Sequence, residues 1–557
     1  MKKYIIVALL IAAIFPMNSC KKDVLDEKVY DFISPASLED SEAGASLLLQ
    51  GAYTTLNENL FRYDVWPRIG DFDSDHVTGP SWAFGSLGSG QFQKDSWMYE
   101  GTWNGLYKII HRANVGIETV EKMTFDETKR KNIVGQFQFL KAWSYFQLVR
   151  MFGAVPLRKA SLGAGEDAQQ PRAAVKDVYA EIISILKAAE SNLYPRTSTA
   201  FKVGQISKGG ASALLAKTYV TMASGALSNA TVTVKGGKAL LSDGKTSKPG
   251  PDVLTITKKQ VAGLESINAA EYFKLARDKA KEVINSKEFT LFSTYEEIWN
   301  PSNRNKGEHI FMVQALNGSS ALGLSINTWN LGFVDGKGEV ANGRWTGMRD
   351  HWYELFEDGV DDRVVKGVQH RWKQWGATHY YPPKHAANVT AKDPKYGYDG
   401  SEAKWDQREF YYAGLTKFGA VSDNKIDKTD YHFPLLRYAD VFLIMAEAEN
   451  ELSTGSADAY SALNNIRTRS KATPAPTGMN QQQFRSFVLE ERAREFALEM
   501  ERRWDLIRWG VYLDVMNSID VDENNIVKRR EAKNLLYPVP IQELNTNKLF
   551  GPQNPGW

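Results

Sequence analysis

The segment Asp71-Phe72-Asp73-Ser74-Asp75 carries a carboxylate at every second position, the spacing of the first three ligands in a calcium-binding loop. The match then stops. Position six is His76 where the sharp turn needs glycine, and position twelve is Trp82 where a bidentate glutamate belongs. A structural calcium ion is therefore the weaker reading, and a solvated loop offering acceptors to hydroxyl groups is the stronger one. The eight histidines are scattered, with no H-E-x-x-H and no pair at ligand spacing. Gly85-Ser86-Leu87-Gly88-Ser89-Gly90 lacks both the G-x-S-x-G elbow and the lysine of a phosphate loop. The run Leu489 to Leu506 reads as one charge-laced helix, with Glu490/Arg494 and Glu499/Arg503 spaced i,i+4 and the acid first. That pattern describes a structural ion-pair network. Acid pairs for hydrolysis stay open, because their separation of ~5–9 Å is a three-dimensional property.

Composition removes further classes. With 68 Lys+Arg against 66 Asp+Glu there is no basic field for a nucleic acid. A mean hydropathy of −0.39 excludes a polytopic membrane protein. One cysteine cannot make an internal disulfide or a cysteine-based zinc site. Its position is informative: Lys2 and Lys3, an apolar stretch from Tyr4 to Phe15, and then Pro16-Met17-Asn18-Ser19-Cys20. The apolar run is too short for a spanning helix of ~20 residues and suits a secretory signal. Ser19 directly before Cys20 resembles a bacterial lipobox, which makes Cys20 the expected lipid attachment point. Ordinary cleavage nearby, leaving a free thiol, is the alternative. Loss of Lys2 and Lys3 takes the formal charge from +2 to neutral.

Helical periodicity dominates the remainder. It predicts helices over 43–60, 103–123, 125–150, 175–193, 207–223 and 269–285, then over 436–452, 458–470 and 481–509. The pairs have short links, and Ala142 to Phe146 carries the A-x3-F spacing of tetratricopeptide units without their strict period. Two irregular regions interrupt the scaffold, 64–96 and 300–431, both rich in glycine and aromatics. A third stretch, 231–264, is an insertion with Gly-Gly, Asp-Gly and Pro-Gly-Pro turn signals. The 15 Trp, 24 Tyr and 26 Phe argue against disorder in such long loops.

Several motifs then point to a family. Gly135 to Leu157 ends a helix in Tyr145-Phe146-Gln147-Leu148-Val149-Arg150-Met151-Phe152-Gly153-Ala154-Val155-Pro156-Leu157. Ile206-Ser207-Lys208-Gly209 precedes Ala213 to Lys217, and Leu436-Arg437-Tyr438-Ala439-Asp440-Val441 precedes Ala446-Glu447-Ala448. Asn464 to Arg469, Glu491 to Glu495 and Arg503 to Gly510 follow, and the chain closes on Tyr537-Pro538-Val539-Pro540 and Gln553-Asn554-Pro555-Gly556-Trp557. In this order the motifs resemble the SusD/RagB family over essentially the whole mature chain.

The resemblance implies a mostly α, tetratricopeptide-like helical-repeat scaffold, with long irregular loops and a few short strands forming the ligand face. It implies a signal peptide over 1–19, a lipid-anchored tether over 20–40, an N-terminal helical part over 41–230 and a C-terminal part over 265–557 with its helical cluster at 436–510. It further implies a non-catalytic outer-membrane lipoprotein, facing the cell exterior, that captures glycans and hands them to a SusC-like TonB-dependent transporter. A surface glycoside hydrolase and a helical-repeat protein that captures peptides or glycoproteins are the competing readings. Because the shared motifs mark the scaffold, Arg150, Arg437, Asp440, Glu495 and Asp505 are expected to hold helices together. Sugars need flat apolar platforms for their C–H faces and polar groups for their hydroxyls. Region 64–96 and its flank offer Trp66, Trp82, Phe84 and Trp97 with Asp71, Asp73 and Asn104. Region 300–431 offers Trp329, Trp345, Trp372, Trp375, Tyr380 and Tyr381 with Asn327, Asn330 and Arg344. Trp82 is the leading candidate, since loop residues flank it on both sides. Trp103 and Trp352 read as core.

Overall fold

The computed structural model describes residues 39–61, 65–235, 253–357, 359–381 and 412–557. Cys20, the signal segment and most of the tether lie outside the described residues, as do 236–252 and 382–411. None of the described helices is long and apolar enough to cross a membrane.

The N-terminal half begins with α1 (Glu42–Thr55), which Ser41 caps and which runs into a π-helical turn at Leu56–Phe61. Short helices α2 (Val65–Asp71) and α3 (Ser81–Gly88) follow, then α4 (Trp97–Val120), α5 (Glu127–Phe152), α6 (Val175–Asn192), α7 (Lys208–Ala226) and α8 (Ala269–Ser286). Further along stand α9 (Ile326–Asn330), α10 (Tyr438–Leu452), α11 (Ala457–Arg469), α12 (Gln481–Glu495), α13 (Arg502–Arg508) and α14 (Tyr512–Ile519). Helices α4 to α8 pack each on the next, α8 packs on α10, and α10 on α11. This is the stacked helix-pair architecture that the short links predict.

Helix α5 shows how the sequence specifies it. The Asp126 side chain accepts the Lys129 N–H at its start. It stops at Gly153, whose φ of 74° favours a residue without Cβ. The apolar stripe predicts one buried face, but nearly every residue from Asn132 onward is buried. The reason is position, because α5 is enclosed by α1, α4 and α6.

The strands are short. β1 (Val77–Thr78) pairs with β9 (Gly347–Met348), and β2 (Val155–Pro156) with β3 (Arg172–Ala173). β4 (Thr231–Lys235) and β5 (Val253–Thr257) form an antiparallel pair. β6 (His309–Val313) pairs with β12 (Phe433–Arg437), so the helix expected from Leu436 begins only at Tyr438. β7 (Phe333–Val334), β8 (Val340–Asn342), β10 (Arg371–Gln374) and β11 (Ala377–Tyr380) make a four-stranded sheet in the order β11-β10-β8-β7.

Two expectations need correction. Region 64–96 is not loop throughout: α2 and α3 lie in it, and Trp82 sits in the first turn of α3. The charged run Leu489 to Leu506 is also not one helix. α12 ends at Glu495, and Leu498 and Met500 adopt left-handed φ of 54° and 64° before α13 begins. Such a backbone costs about 1–3 kcal/mol per residue and needs tertiary contacts to impose it. They are present. Glu499 is held by Lys417 and Arg437, each at 2.8 Å, and the Met500 N–H donates to Asp71 Oδ1 at 3.0 Å. Glu499 and Arg503 therefore never meet, whereas Glu490 and Arg494 do, at 2.6 Å.

Motif residues converge in buried ion networks. Arg437 joins Glu308, Glu495 and Glu499. Arg492 joins Asp440 and Asp505 at 2.6 and 2.8 Å, and Lys217 reaches both Asp440 and Glu501 at 2.8 Å. Arg150 lies 3.6 Å from Glu501, with its guanidinium over the Phe146 ring.

Candidate functional site

The antiparallel pair β1–β9 ties the two irregular regions together. Its register places Thr78 opposite Gly347, so the chain leading into α3 runs beside Trp345. Gly79 makes this approach possible. A Cβ there would lie 2.2 Å from the Trp345 carbonyl oxygen and 2.5 Å from the Phe84 ring. From the other side, the N–H groups of Arg344 and Trp345 donate to the carbonyls of Thr328 and Trp329 at 2.7 and 2.8 Å, and Thr346 N–H also reaches Trp329. Backbone hydrogen bonds thus lock α9 to the segment that carries Trp345.

A ledge of tryptophans results. Trp82 is 59% exposed and stands edge-on to Trp345, with centroids 5.2 Å apart and planes at 76°. Trp345 stands edge-on to Trp329 at 5.0 Å and 77°. Both Trp345 and Trp329 are half-buried. The Arg68 guanidinium lies 4.6 Å from the Trp329 ring, a cation–π contact that the sequence reading missed because one arginine in α2 carries no spacing signal. Beneath, Phe72 stacks on Phe84 at 4.2 Å with planes only 7° apart, and Phe72 meets Trp329 at 6.1 Å. In the segments bearing Trp329 and Trp345, the buried atoms Asn327 Nδ2, Thr328 Oγ1 and Thr346 Oγ1 have no hydrogen-bond partner among the described residues.

Trp375 is a second exposed aromatic, 57% accessible at the tip of the β10–β11 hairpin. The central turn residues Trp375 and Gly376 have φ of 53° and 72°, as a type I′ turn requires. The hairpin belongs to the sheet whose β8 leads directly into Gly343 and Trp345. Trp97, 52% exposed at the start of α4, touches none of these rings.

Asn104 is exposed on α4, away from these rings, and the remaining candidates are buried and do not form part of the face. Phe84 supports the ledge from below, and Trp66 packs on Trp143 at 5.7 Å within the core. Trp372 is sandwiched between the Arg344 guanidinium, 3.6 Å from its ring, and the stacked His379 ring. Asn327, Asn330, Arg344, Tyr380 and Tyr381 are likewise buried. Their types suit sugar binding, but aromatic and amide residues serve equally well in packing.

The acidic segment is corrected most sharply. Asp71, Asp73 and Asp75 are neither solvated nor convergent on a cation. Asp73, wholly buried, is paired by Arg503 and by Arg530 Nε at 2.7 Å. Asp75 is gripped bidentately by Arg502 at 2.9 and 2.7 Å. With each carboxylate engaged in its own contacts, the calcium reading fails, and no cluster of metal-ligating side chains is present among the described residues. The segment instead clamps the base of the ledge to α13 and the C-terminal chain. Burial alone would raise the Asp75 carboxyl, yet Arg502 and His76 hold it well below the usual carboxylate range.

Asp71 has no cation within salt-bridge range among the described residues, and burial pushes its pKa up to about 8. A raised folded-state pKa means the native protein keeps a proton that the unfolded chain releases above its ordinary value of 3.8. Stability from this group is therefore fully present below that value and is lost as pH rises toward about 8. Asp71→Asn keeps an acceptor for the Met500 N–H and removes the titration. Urea unfolding across this range should show the variant gaining on wild type as pH rises; a pH-independent difference between them would contradict the assignment.

A cavity of 760 Å³ lies elsewhere, between α5, α7, α13 and the chain ends near Leu536 and Asn554. Its polar wall is Arg150, Lys217, Asp440 and Glu501, which are already committed to one another. It offers no exposed aromatic platform.

With the fold and ledge established, sequence comparison supplies the family. Residues 281–557 match the SusD family model, and residues 27–220 match a SusD-like model described as starch-binding and associating with the outer membrane. This chain belongs to the SusD family. The family is one of non-catalytic glycan-binding proteins. Among its SusD-family relatives, the SusD-like protein P25 of Formosa agariphila is 24% identical, with 96% of each chain covered. A SusD homolog of Bacteroides thetaiotaomicron has the same fold, at a TM-score of 0.75 and 22% identity over 94% of this chain and 98% of that one. Surface glycan-binding protein A of Bacteroides fluxus is similar at a TM-score of 0.65 and 19% identity, covering 93% of this chain and all of the other. The mostly helical SusD fold is thereby shown.

Proposed function

We propose that this SusD-family chain captures a glycan on the Trp82–Trp345–Trp329 ledge, with Trp375 as a flanking platform, at the outer surface of the outer membrane. Cys20, once acylated, anchors it there, and a SusC-like TonB-dependent transporter receives the glycan. The observation that carries this reading is the exposure of Trp82. Burying an indole away from water is favourable by about 25 cal/mol per Å², yet this one is held out on a stack of two further tryptophans. Ring faces so presented suit the C–H faces of pyranoses, and a preorganised stack spares the ligand the cost of ordering them. The names of similar proteins, starch-binding and surface glycan-binding, point the same way.

The test is a binding screen of the mature protein against α-glucans, β-glucans, mannans and xylans, with reducing ends assayed in parallel. Saturable binding to one class without new reducing ends is expected. Reducing-end release would establish the hydrolase instead, and peptide binding without any sugar binding would establish the adaptor. Co-purification of a TonB-dependent barrel from outer membranes is expected with the tagged chain; its absence would contradict the hand-over step.

A further inference from the structure

No ledge residue lines the 760 Å³ cavity beside α5. Its walls are aliphatic: Val175, Val261, Ile507, Leu513, Leu535 and Leu536 line it and stay half-buried rather than closing on one another. Apolar side chains kept wet around one void carry a hydration cost that an apolar guest relieves. The space equals roughly 25 waters at ~30 Å³ each, ample for a chain of about ten carbons.

The charges around the cavity are unevenly placed. In the floor they cancel. Lys217 meets Asp440 and Glu501 at 2.8 Å each, and Arg150 lies against Glu501. Arg492 bridges Asp440 and Asp505, and Arg508 pairs with Asp505 and Glu447. Nothing in that network draws a charged group inward. At the open side, beside the exposed Ala174 and Ala262, Lys259 and Lys533 also have acids, Asp514 at 3.6 Å and Glu531 at 3.1 Å. Arg172 differs. Its Nη1 donates to Asn554 Oδ1 at 3.1 Å and its Nη2 to the Pro552 carbonyl at 3.0 Å, and its guanidinium lies 4.9 Å from the Phe550 ring. Those partners hold the group in place but are neutral, and no carboxylate lies within salt-bridge range of it among the described residues. Its Nε donates to no described residue. A cation fixed without being neutralised attracts an anion at little ordering cost.

We propose that this cavity binds a small amphiphilic monocarboxylate, with its apolar body between the aliphatic walls and its carboxylate on Arg172. The proposal does not depend on glycan capture, and it gives the chain a second ligand of different chemistry.

Saturation-transfer NMR and calorimetry with octanoate, octylammonium and octan-1-ol test it on the mature protein. Wild type is compared with Trp82→Ala/Trp345→Ala, Arg172→Gln and Ala262→Trp. Glutamine keeps an amide donor without the charge, and tryptophan at the exposed position 262 fills the open side. Octanoate should bind wild type and the ledge variant alike, octan-1-ol more weakly, and octylammonium not at all. Arg172→Gln should weaken octanoate by at least ~10-fold and leave octan-1-ol unchanged, while Ala262→Trp should remove both. Octanoate affinity that Arg172→Gln leaves unchanged overturns the proposal, as does a preference for octylammonium or the absence of octanoate binding by wild type. Octanoate binding that survives Ala262→Trp, in a protein that still unfolds cooperatively, puts the ligand elsewhere and overturns it too.

Discussion

Replacing Arg437 with methionine is expected to lower the unfolding free energy by about 3–5 kcal/mol. The guanidinium is 1% exposed and serves three carboxylates at once: Glu308 at 2.6 Å, Glu495 at 2.8 Å and Glu499 at 2.8 Å. Its second Nη donates to the Glu495 carbonyl at 3.0 Å. Methionine fills the stem but leaves these acids short of countercharge in the interior. Arg469 still reaches Glu308 and Glu495, and Lys417 still reaches Glu499, so the loss stops short of complete unfolding. Lysine restores a charge but not the fork geometry, and should recover only part of the stability. The surface pair Lys131–Glu127 is the control. Its contact is equally close, at 2.7 Å, but its side chains are 58% and 65% exposed, and its removal should cost no more than about 0.5 kcal/mol. Urea midpoints at constant m-value would measure both. Equal effects at the two sites would contradict the burial argument.

The second large effect concerns binding. Trp345→Ala should weaken capture of the cognate glycan by about 2 kcal/mol, roughly thirtyfold in Kd. Trp345 touches both other tryptophans, so its loss removes one platform and the support of Trp82 together. Trp82→Ala should cost less, and Trp375→Ala less again, because the hairpin tip stands outside the stack. Trp372→Ala should behave in the opposite way. That ring is buried against Arg344 and His379, so stability should fall while the affinity of the remaining folded protein stays near wild type. Calorimetric titration paired with thermal unfolding separates the two outcomes.

Much of the scaffold was legible in the sequence because helical periodicity, Asp126 as cap and Gly153 as stop are local signals. What escaped was set by contacts far apart in the chain. The break between α12 and α13 depends on Asp71, Lys417 and Arg437, and no local pattern foretells it. Asp73 reads as a loop acceptor until Arg503 and Arg530, more than four hundred residues later, enclose it. Trp82, Trp345 and Trp372 share a residue type and similar loop surroundings, yet the first is exposed, the second half-buried and the third buried. Only the β1–β9 pairing and the close approach at Gly79 decide which rings meet.

The most direct measurement is calorimetric titration of the wild-type protein and the Trp82→Ala/Trp345→Ala double variant with the polysaccharide that the screen selects. The ledge as glycan site predicts saturable binding by wild type and no saturable binding by a variant that still unfolds cooperatively. A folded double variant that keeps wild-type affinity would contradict it.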